Sequence, residues 1–350
     1  MKKSLLQVSD LSVQFKTDQG TVRAVDHVSF DLNEGEVLGI VGESGSGKSV
    51  TCLTIMGLLP MPPAKVTSGE IRFQGNDLLK IPESKLEDIR GKDISMIFQD
   101  PFTSLNPYLK ISTQMMEVLA THSKLSAKES RKRCLEVLEQ LGVSEAEMRF
   151  NSYPHQLSGG LKQRIMIGMS ILLSPKILIA DEPTTALDVT IQAQILDLLR
   201  EINLKSGTSI ILITHDLGVV AGLCDRVQVM YGGRLAERGN YDDIFYRTRH
   251  PYTRGLMESI PSLEVEPGTR LKPIPGSPPD LTQLGDFCAF SPRCPRAQEI
   301  CRTVRPLEAV DNPGHSYECY FPVGQGSPPA SRPNRAASMS SSESSEVHLS

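Results

Sequence analysis

Short segments that alternate apolar and polar residues occupy most of the first 75 positions of the chain. Three of them read LLQVSDLSVQF, AVDHVSFDL and GEIRFQG, and turn-forming residues such as DQG separate them. Alternation with a period of two is typical of strands with one buried face, so these segments predict a small antiparallel sheet. EVLGIVG, which lies among them, is a continuous apolar run and predicts a buried parallel strand.

Apolar residues follow a helical spacing in the stretch from about 105 to 165. Leu135, Leu138 and Leu141 recur at three-residue intervals, and Gly142 then ends the run. A glycine after the last periodic residue is typical of a helix C-terminus. This stretch therefore predicts a helical insertion.

Two further apolar runs, KILIADEP and SIILITHD, flank another helical pattern. Ile191, Ile195, Leu198 and Ile202 share one face of that helix, and Gly207 closes it. A strand, a helix and a second strand in this order predict a βαβ unit with parallel strands. The run VQVMYGGRLAERG follows and predicts a hairpin across its two glycines.

The composition divides the chain into three parts. Residues 1–260 contain the strands and helices described above and predict the main domain. Residues 261–323 begin with a stretch dense in proline and glycine, continue into FCAFSPRCPRAQEIC, and predict a small C-terminal domain. Residues 324–350 are rich in serine, proline and alanine without apolar periodicity, and predict a disordered tail.

Charge and aromatic content narrow the classes of function. The net charge is -4, and the chain has no tryptophan and 5% aromatic residues, so nucleic acid is not favoured as a partner. The opening MKKSLLQVSDLSVQF lacks the apolar run and cleavage site of a signal peptide. No window approaches the roughly 18 apolar residues that a spanning helix needs. We therefore expect a cytosolic chain that does not cross a membrane by itself.

One segment carries the chemistry of phosphate binding. GESGSGKS, the P-loop (residues 42–49), fits G-x-x-x-x-G-K-[ST] and lies between a predicted strand and a predicted helix. Lys48 would neutralise the β- and γ-phosphates of ATP and Ser49 would bind Mg²⁺, while backbone N–H groups surround the phosphate oxygens. A glycine-rich turn without this function is the weaker alternative. The P-loop residues expected to contact the nucleotide are Gly42, Ser44, Gly45, Gly47, Lys48 and Ser49.

A pair of carboxylates ends the apolar run ILIADE. Asp181 would hold Mg²⁺ through water, and Glu182 would accept a proton from the attacking water. An acidic pair at the end of a strand is by itself usually a polar boundary. The P-loop upstream favours the catalytic interpretation.

A third motif, LSGGLKQR, resembles the signature of the ABC-type ATPases. The resemblance implies that Ser158, Gly159 and Gly160 face a phosphate, because they open a helix N-terminus. Leu161 departs from the family, which commonly has glutamine at this position. In this family the signature serves the ATP held by a partner subunit, so ATP lies between two subunits and its hydrolysis lets the closed pair reopen.

Four other residues match marks of the same family in the expected order. Gln99 in MIFQDP matches the Q-loop, where it would contact Mg²⁺ and assist catalysis, and Asp188 in TALD matches the D-loop. His215 in LITHD matches the switch histidine, which contacts the γ-phosphate, and Phe15 lies 33 residues before Lys48, where the family places an aromatic ring against adenine. Each also has a plain structural explanation: a polar strand end, a helix N-cap, a capping histidine and a core aromatic.

The resemblance implies an α/β fold of the P-loop NTPase class. It would have an antiparallel β subdomain, a helical subdomain that carries the signature, and a small C-terminal domain that contains cysteines. The match to ABC-type ATPases covers about residues 5–240.

The C-terminal part resembles a narrower group. HPYTRGLMESIP, PGSPPDL and MIFQDPFTSLNPYLKI look like segments of the ATP-binding subunits of bacterial oligopeptide and dipeptide importers. The resemblance implies a second ATPase subunit, two membrane permeases, an extracytoplasmic peptide-binding protein and a place on the cytoplasmic face of the membrane. Importers of nickel or glutathione are related alternatives. A soluble ABC ATPase that acts on nucleic acid or the ribosome is disfavoured, since the chain has one P-loop and no sustained heptads.

Four cysteines follow in the C-terminal part. Cys288, Cys294, Cys301 and Cys319 are spaced C-x5-C-x6-C-x17-C, without the C-x2-C pairs that zinc usually selects. Four thiolates can hold an iron–sulfur cluster, and the peptide-importer ATPases are similar in carrying a [4Fe–4S] cluster here. Zinc, or reduced thiols that merely pack, are the alternatives. The other three cysteines lie in apolar helical contexts and are expected to be buried: Cys52, Cys134 and Cys224.

Overall fold

The computed structural model describes residues 3–100, 104–185, 187–259 and 273–324. Its strands are β1 (Ser4–Thr17), β2 (Gly20–Asn33), β3 (Val37–Val41), β4 (Ala64–Phe73), β5 (Asn76–Asp77), β6 (Ile94–Ile97), β7 (Ile177–Asp181), β8 (Ser209–Thr214), β9 (Arg226–Tyr231), β10 (Arg234–Asn240), β11 (Ala309–Asn312) and β12 (His315–Tyr317). Its helices are α1 (Lys48–Ile55), α2 (Glu83–Ile89), α3 (Ile111–His122), α4 (Ala127–Gln140), α5 (Ala146–Phe150), α6 (Gly159–Ile171), α7 (Val189–Ser206), α8 (Leu217–Leu223), α9 (Tyr241–Tyr246), α10 (Pro251–Glu258) and α11 (Glu299–Thr303).

The alternating segments near the start form an antiparallel sheet, as predicted. Its strand order is β2-β1-β4-β5, and β1 pairs with both β2 and β4. Leu6, Leu11 and Val13 of β1 are almost completely buried, whereas Ser4 and Gln7 are exposed. One face of this sheet therefore packs into the core.

The apolar runs form a second sheet, with the order β11-β12-β10-β9-β3-β8-β7-β6. The five strands from β9 to β6 are parallel, and every residue of β3, β7 and β8 is buried. Burial on both faces explains why these strands are continuously apolar in sequence. The predicted βαβ unit is confirmed, because α7 connects β7 to β8 and Gly207 ends the helix in a left-handed conformation.

Strand β3 joins the two halves of the core. Val37 and Val41 pack in the cluster formed with the helices, whereas Leu38 and Ile40 pack in the cluster formed with the antiparallel sheet. Burying one such side chain contributes roughly 1.5–3 kcal/mol. The P-loop leaves β3 between these two packed layers.

The predicted helical insertion contains α3, α4 and α5 and leads into α6. Ser126 and Glu129 form a capping box at the start of α4, and the helix ends beside Gly142, whose φ is +67°. Leu138 and Leu141 are buried and Leu135 packs against the same core. The insertion thus docks on the main body through the apolar face that the sequence predicts.

The cysteine-containing region is joined to the main sheet. Strand β12 pairs with β10, and β11 pairs with β12, so both extend the sheet that carries the P-loop. The predicted hairpin of β9 and β10 is confirmed. The predicted boundary at residues 260–261 and all but the first residue of the predicted disordered tail, 324–350, lie outside the described residues, and both stay predictions.

We searched the described residues for a helix that could cross a membrane. None is both long enough and apolar enough to do so.

Candidate functional site

The P-loop connects the end of β3 to the start of α1 and packs closely on neighbouring backbone. A Cβ atom at Gly47, where φ is +97°, would lie 2.3 Å from the carbonyl oxygen of Ala24. A Cβ atom at Gly42 would lie 2.1 Å from that of Met230. Only glycine fits at these two positions, so the motif is required by the fold as well as by phosphate binding.

Lys48 is buried among the carbonyl groups of its own loop. Its Nζ atom donates to the carbonyl oxygens of Gly42 at 2.7 Å and Glu43 at 2.8 Å, and to the hydroxyl of Ser46 at 3.3 Å. Burial lowers the pKa of the ammonium, and the carboxylates nearby oppose that shift. The charge is thus held inside the loop, where a phosphate group can bind it. Ser44 and Gly45 are exposed at the tip of the loop.

The predicted Mg²⁺ ligands of the P-loop and of β7 lie together. The hydroxyl of Ser49 donates to Oδ1 of Asp181 at 3.0 Å. Burial raises the pKa of the Asp181 carboxyl, and the Ser49 hydrogen bond and Lys48 partly offset the shift. Side-chain oxygens of this kind suit Mg²⁺, which is usually held by few protein ligands together with phosphate oxygens and water.

Glu182 brings the predicted catalytic residues together. Its Oε2 atom accepts a hydrogen bond from Nε2 of Gln99 at 3.1 Å, and Nδ1 of His215 lies 3.3 Å away. Thr185 also donates to Oε2, at 2.9 Å. The carboxylate therefore has three polar neighbours, of which the sequence predicted Gln99 and His215 and missed Thr185.

The backbone of Glu182 is in a left-handed conformation, with φ of +46°. Its N–H group donates to the carbonyl of Ile213 on β8 at 2.9 Å, which fixes it at the strand end. A non-glycine residue in this region costs about 1–3 kcal/mol and is held by its surroundings. The carboxylate is oriented by the sheet edge and by its polar neighbours together.

Ser158 and Asp188 each begin a helix and are exposed. The Ser158 side chain accepts from the N–H of Leu161 at the start of α6, and that of Asp188 accepts from the N–H of Ile191 at the start of α7. In the single chain, without a partner subunit, Asp188 therefore acts as a helix N-cap, which is its plain structural explanation. Gly159 and Gly160 follow Ser158 in the first turn of α6, and the N-terminus of a helix favours the binding of an anion.

Phe15 lies on β1, half buried against the core of the antiparallel sheet. Its neighbours in the strand register are Val22 and Ala64. This position accounts for an apolar residue without a nucleotide, so the predicted contact with adenine stays a prediction.

All four C-terminal cysteines line one cavity, together with aromatic and proline residues. Burial raises the pKa of Cys288 to about 11 and that of Cys319 to about 12, and the neighbouring thiols add to the shift. Among the residues described, no group of three or more His, Cys, Asp or Glu side chains is arranged to hold a metal ion. The four cysteines thus share a cavity without forming a metal-binding arrangement, and the cluster stays a prediction. Cys52, Cys134 and Cys224 are buried, as predicted.

The fold and site define an ATP-binding cassette ATPase. The ABC transporter family matches residues 25–185, and the family described as the oligopeptide/dipeptide transporter C-terminal region matches residues 236–301. Dipeptide transport ATP-binding protein DppD of Bacillus subtilis is 52% identical over 319 residues, which cover 91% of this chain and 95% of that protein. Oligopeptide transport ATP-binding protein OppD of Salmonella typhimurium is 51% identical over 323 residues, which cover 91% of this chain and 94% of OppD. This chain belongs to that family of ABC transporter ATP-binding proteins.

Solved structures agree with the assignment of the cassette. A dimeric structure of the ATP-binding cassette MJ0796, bound to ADP and Pi, matches this chain with a TM-score of 0.61 and 29% sequence identity. The match covers 67% of this chain and 98% of the MJ0796 chain. CbiO1 from Clostridium perfringens, part of an ABC transporter complex, matches with a TM-score of 0.59 and 32% sequence identity. This match covers 69% of the present chain and 90% of the CbiO1 chain. The predicted fold class is confirmed.

Proposed function

We propose that this chain hydrolyses ATP to power the import of dipeptides or oligopeptides, with Glu182 as the general base. The observation that carries the catalytic role is the convergence of Gln99 and His215 on one carboxylate oxygen of Glu182. Glu182 would accept a proton from water as the water oxygen bonds to the γ-phosphorus, while the bond from that phosphorus to the ADP oxygen breaks and ADP leaves with the electron pair. Gln99 and His215 orient the carboxylate and the γ-phosphate.

The P-loop would hold the nucleotide through Lys48 and its backbone N–H groups. Ser49 and Asp181 would hold Mg²⁺, which when bound neutralises charge on the phosphates. Their 3.0 Å contact supports this assignment, because it brings two oxygen ligands together beside the P-loop. Phe15 would contact the adenine from near the end of β1.

A second ATPase subunit would complete each nucleotide site. Ser158 and Asp188 are exposed and stand at helix N-termini, which suits contact with a partner's nucleotide rather than with this chain's own P-loop. ATP binding would close the pair, and hydrolysis would let it reopen. Ligand can drive that motion only through its higher affinity for the closed state.

Peptide cargo is supported by the named relatives, which are transport proteins for dipeptides and oligopeptides. The chain would work at the cytoplasmic face of the membrane, with two permease subunits and an extracytoplasmic peptide-binding protein. Cells that lack this chain should lose uptake of a labelled dipeptide or tripeptide. Re-expression of the wild-type chain should restore it, and Glu182→Gln should not. Restored uptake of nickel or glutathione without peptide uptake would contradict the peptide assignment.

A [4Fe–4S] cluster held by Cys288, Cys294, Cys301 and Cys319 would be the second cofactor. The shared cavity of the four thiols supports it, because a cluster needs thiolates around one volume and buried thiolates need a cationic centre. Bound, it would tie together a segment too short to build a core of its own. Anaerobically purified protein should be brown and contain iron and acid-labile sulfide in about equal amounts. Stoichiometric zinc without sulfide would contradict the cluster and leave the ATPase assignment intact.

A further inference from the structure

An ion pair joins the P-loop to the cysteine segment (residues 287–301). Nη1 of Arg293 lies 2.6 Å from Oε2 of Glu43, and Nη2 lies 3.0 Å from Oε1. Glu43 is the second residue of the P-loop, and Arg293 precedes Cys294. The Arg293 side chain is 6% exposed and that of Glu43 is 25% exposed. A bidentate pair with this little solvent fixes geometry as well as charge.

Every N–H group of the Arg293 guanidinium has an acceptor. Besides Glu43, Nε donates to the carbonyl of Pro275 at 2.8 Å, Nη1 to the hydroxyl of Tyr231 at 3.2 Å, and Nη2 to the carbonyl of Ile274 at 3.3 Å. The five donors of arginine thus meet five acceptors, a match that the three donors of lysine cannot reproduce. This site is built around an arginine.

Glu43 is held at its backbone as well. Its N–H group donates to the hydroxyl of Tyr252 at 2.9 Å, and its carbonyl accepts from Nζ of Lys48 at 2.8 Å. Tyr252 packs against Tyr231, with ring centroids 4.4 Å apart, and Tyr231 also contacts Arg293. A continuous set of contacts therefore runs from the cysteine segment to the lysine of the P-loop.

Glu43 carries its negative charge within the loop that holds Lys48. Its carbonyl accepts directly from Nζ of Lys48, so its carboxylate belongs to the phosphate-binding loop itself. A carboxylate in this loop repels the phosphates that Lys48 would bind. The guanidinium of Arg293 offsets that repulsion and holds the carboxylate to one side.

We propose that Arg293 is a positioning residue for ATP binding: through Glu43 it neutralises and fixes the P-loop, so that the cysteine segment sets the affinity of this site for ATP. The inference rests on ATP binding by the P-loop and does not require a cluster. It gives the C-terminal region a direct role in the nucleotide site of its own chain.

Nucleotide binding by the full-length chain tests the inference. Arg293→Gln should raise the Kd for a fluorescent ATP analogue about tenfold, since it leaves a carboxylate without its partner beside the phosphates. The KM for ATP should rise by a similar factor, while kcat at saturating ATP changes less than about twofold, because Glu182 and its neighbours are not altered. The double variant Arg293→Gln with Glu43→Gln should bind ATP more tightly than Arg293→Gln alone, because the repelling charge is gone.

Arg305→Gln is the matched control. Arg305 also forms a bidentate pair with a carboxylate in the C-terminal region, with Nε and Nη2 at 3.1 and 3.0 Å from the oxygens of Glu318. The Arg305→Gln variant should bind ATP with the Kd of the wild type. The proposal is overturned if Arg293→Gln binds ATP as tightly as Arg305→Gln, or if the double variant is no better than Arg293→Gln.

Arg293→Lys covers the case in which Arg293→Gln does not fold. It keeps the charge and loses the bidentate geometry, so its Kd should be about threefold above that of the wild type. A wild-type Kd for Arg293→Lys would count against the proposal. Failure of ATP binding in the wild-type chain would instead contradict the P-loop assignment, so the two failures are distinguishable.

Discussion

The hydroxyl of Ser49 donates a 3.0 Å hydrogen bond to Oδ1 of Asp181, although 132 residues separate them in the chain. The strand order explains the contact. Ser49 follows β3 and Asp181 ends β7, and both strands are parallel neighbours of β8. Their carboxyl ends therefore meet at one edge of the sheet, where ligands bind in open α/β folds.

Removing the Ser49 hydroxyl should weaken the binding of ATP with Mg²⁺. Ser49→Ala is expected to raise the Kd for ATP about tenfold when Mg²⁺ is present and to change it little in EDTA, because the hydroxyl is proposed to act on the metal. Isothermal titration in both conditions measures the difference. Ser206→Ala, at the end of α7, is the control and should match the wild type in both. An equal loss with and without Mg²⁺ would show that Ser49 acts on the loop itself.

A methyl group at Gly47 should disrupt the P-loop. Gly47→Ala places a Cβ atom 2.3 Å from the carbonyl of Ala24 in addition to its positive φ, so it should abolish ATP binding and lower the Tm. Gly75→Ala is the matched control, because its φ of +86° carries a similar strain in open space. It should cost about 1 kcal/mol and leave ATP binding unchanged. Equal effects of the two substitutions on ATP binding would contradict the close packing of the loop.

The signature should act on the nucleotide of a partner subunit. In a mixed dimer, Ser158→Arg is expected to stop hydrolysis at the site that uses the partner's P-loop and to spare the site that uses its own. Ser126→Arg is the control, since Ser126 also caps a helix but lies in the insertion at the start of α4. Site-resolved hydrolysis, with one P-loop inactivated at a time, gives the answer. Loss at the site of the chain's own P-loop would contradict the shared arrangement.

The sequence predicted the elements whose residues share a clear local pattern. β3 and β8 are apolar runs, β1 and β2 alternate, and Gly142 and Gly207 end their helices. The P-loop was predicted because glycine spacing and phosphate chemistry are both local in the sequence. Local patterns of this kind can be recognised in the sequence because they do not depend on contacts with distant residues.

Contacts between distant residues could not be predicted in the same way. The pairing of β12 with β10 depends on where the C-terminal region folds back onto the main sheet. The residues of β12 show no sequence pattern that identifies β10 as the partner strand. Glu43 and Arg293 are 250 residues apart, and either could equally be a solvated surface charge. Thr185 was missed because a threonine near a carboxylate has no distinctive spacing.

The P-loop lysine and the proposed base should fail in different ways. Lys48→Ala should lose ATP binding, because the buried ammonium is the charge that faces the phosphates. Glu182→Gln keeps the size of the side chain and its contact with Gln99 but cannot accept the proton. Glu201→Gln, which changes an exposed carboxylate on α7 that pairs with Lys205, is the control and should behave as the wild type.

ATP binding and ATP turnover measured on the same preparation of Glu182→Gln test the general base most directly. The variant should bind ATP at least as tightly as the wild type, accumulate as the closed, ATP-bound dimer, and lose turnover by roughly 10²–10⁴. Unchanged turnover in Glu182→Gln, with ATP binding intact, would contradict the assignment of Glu182 as the base that hydrolyses ATP.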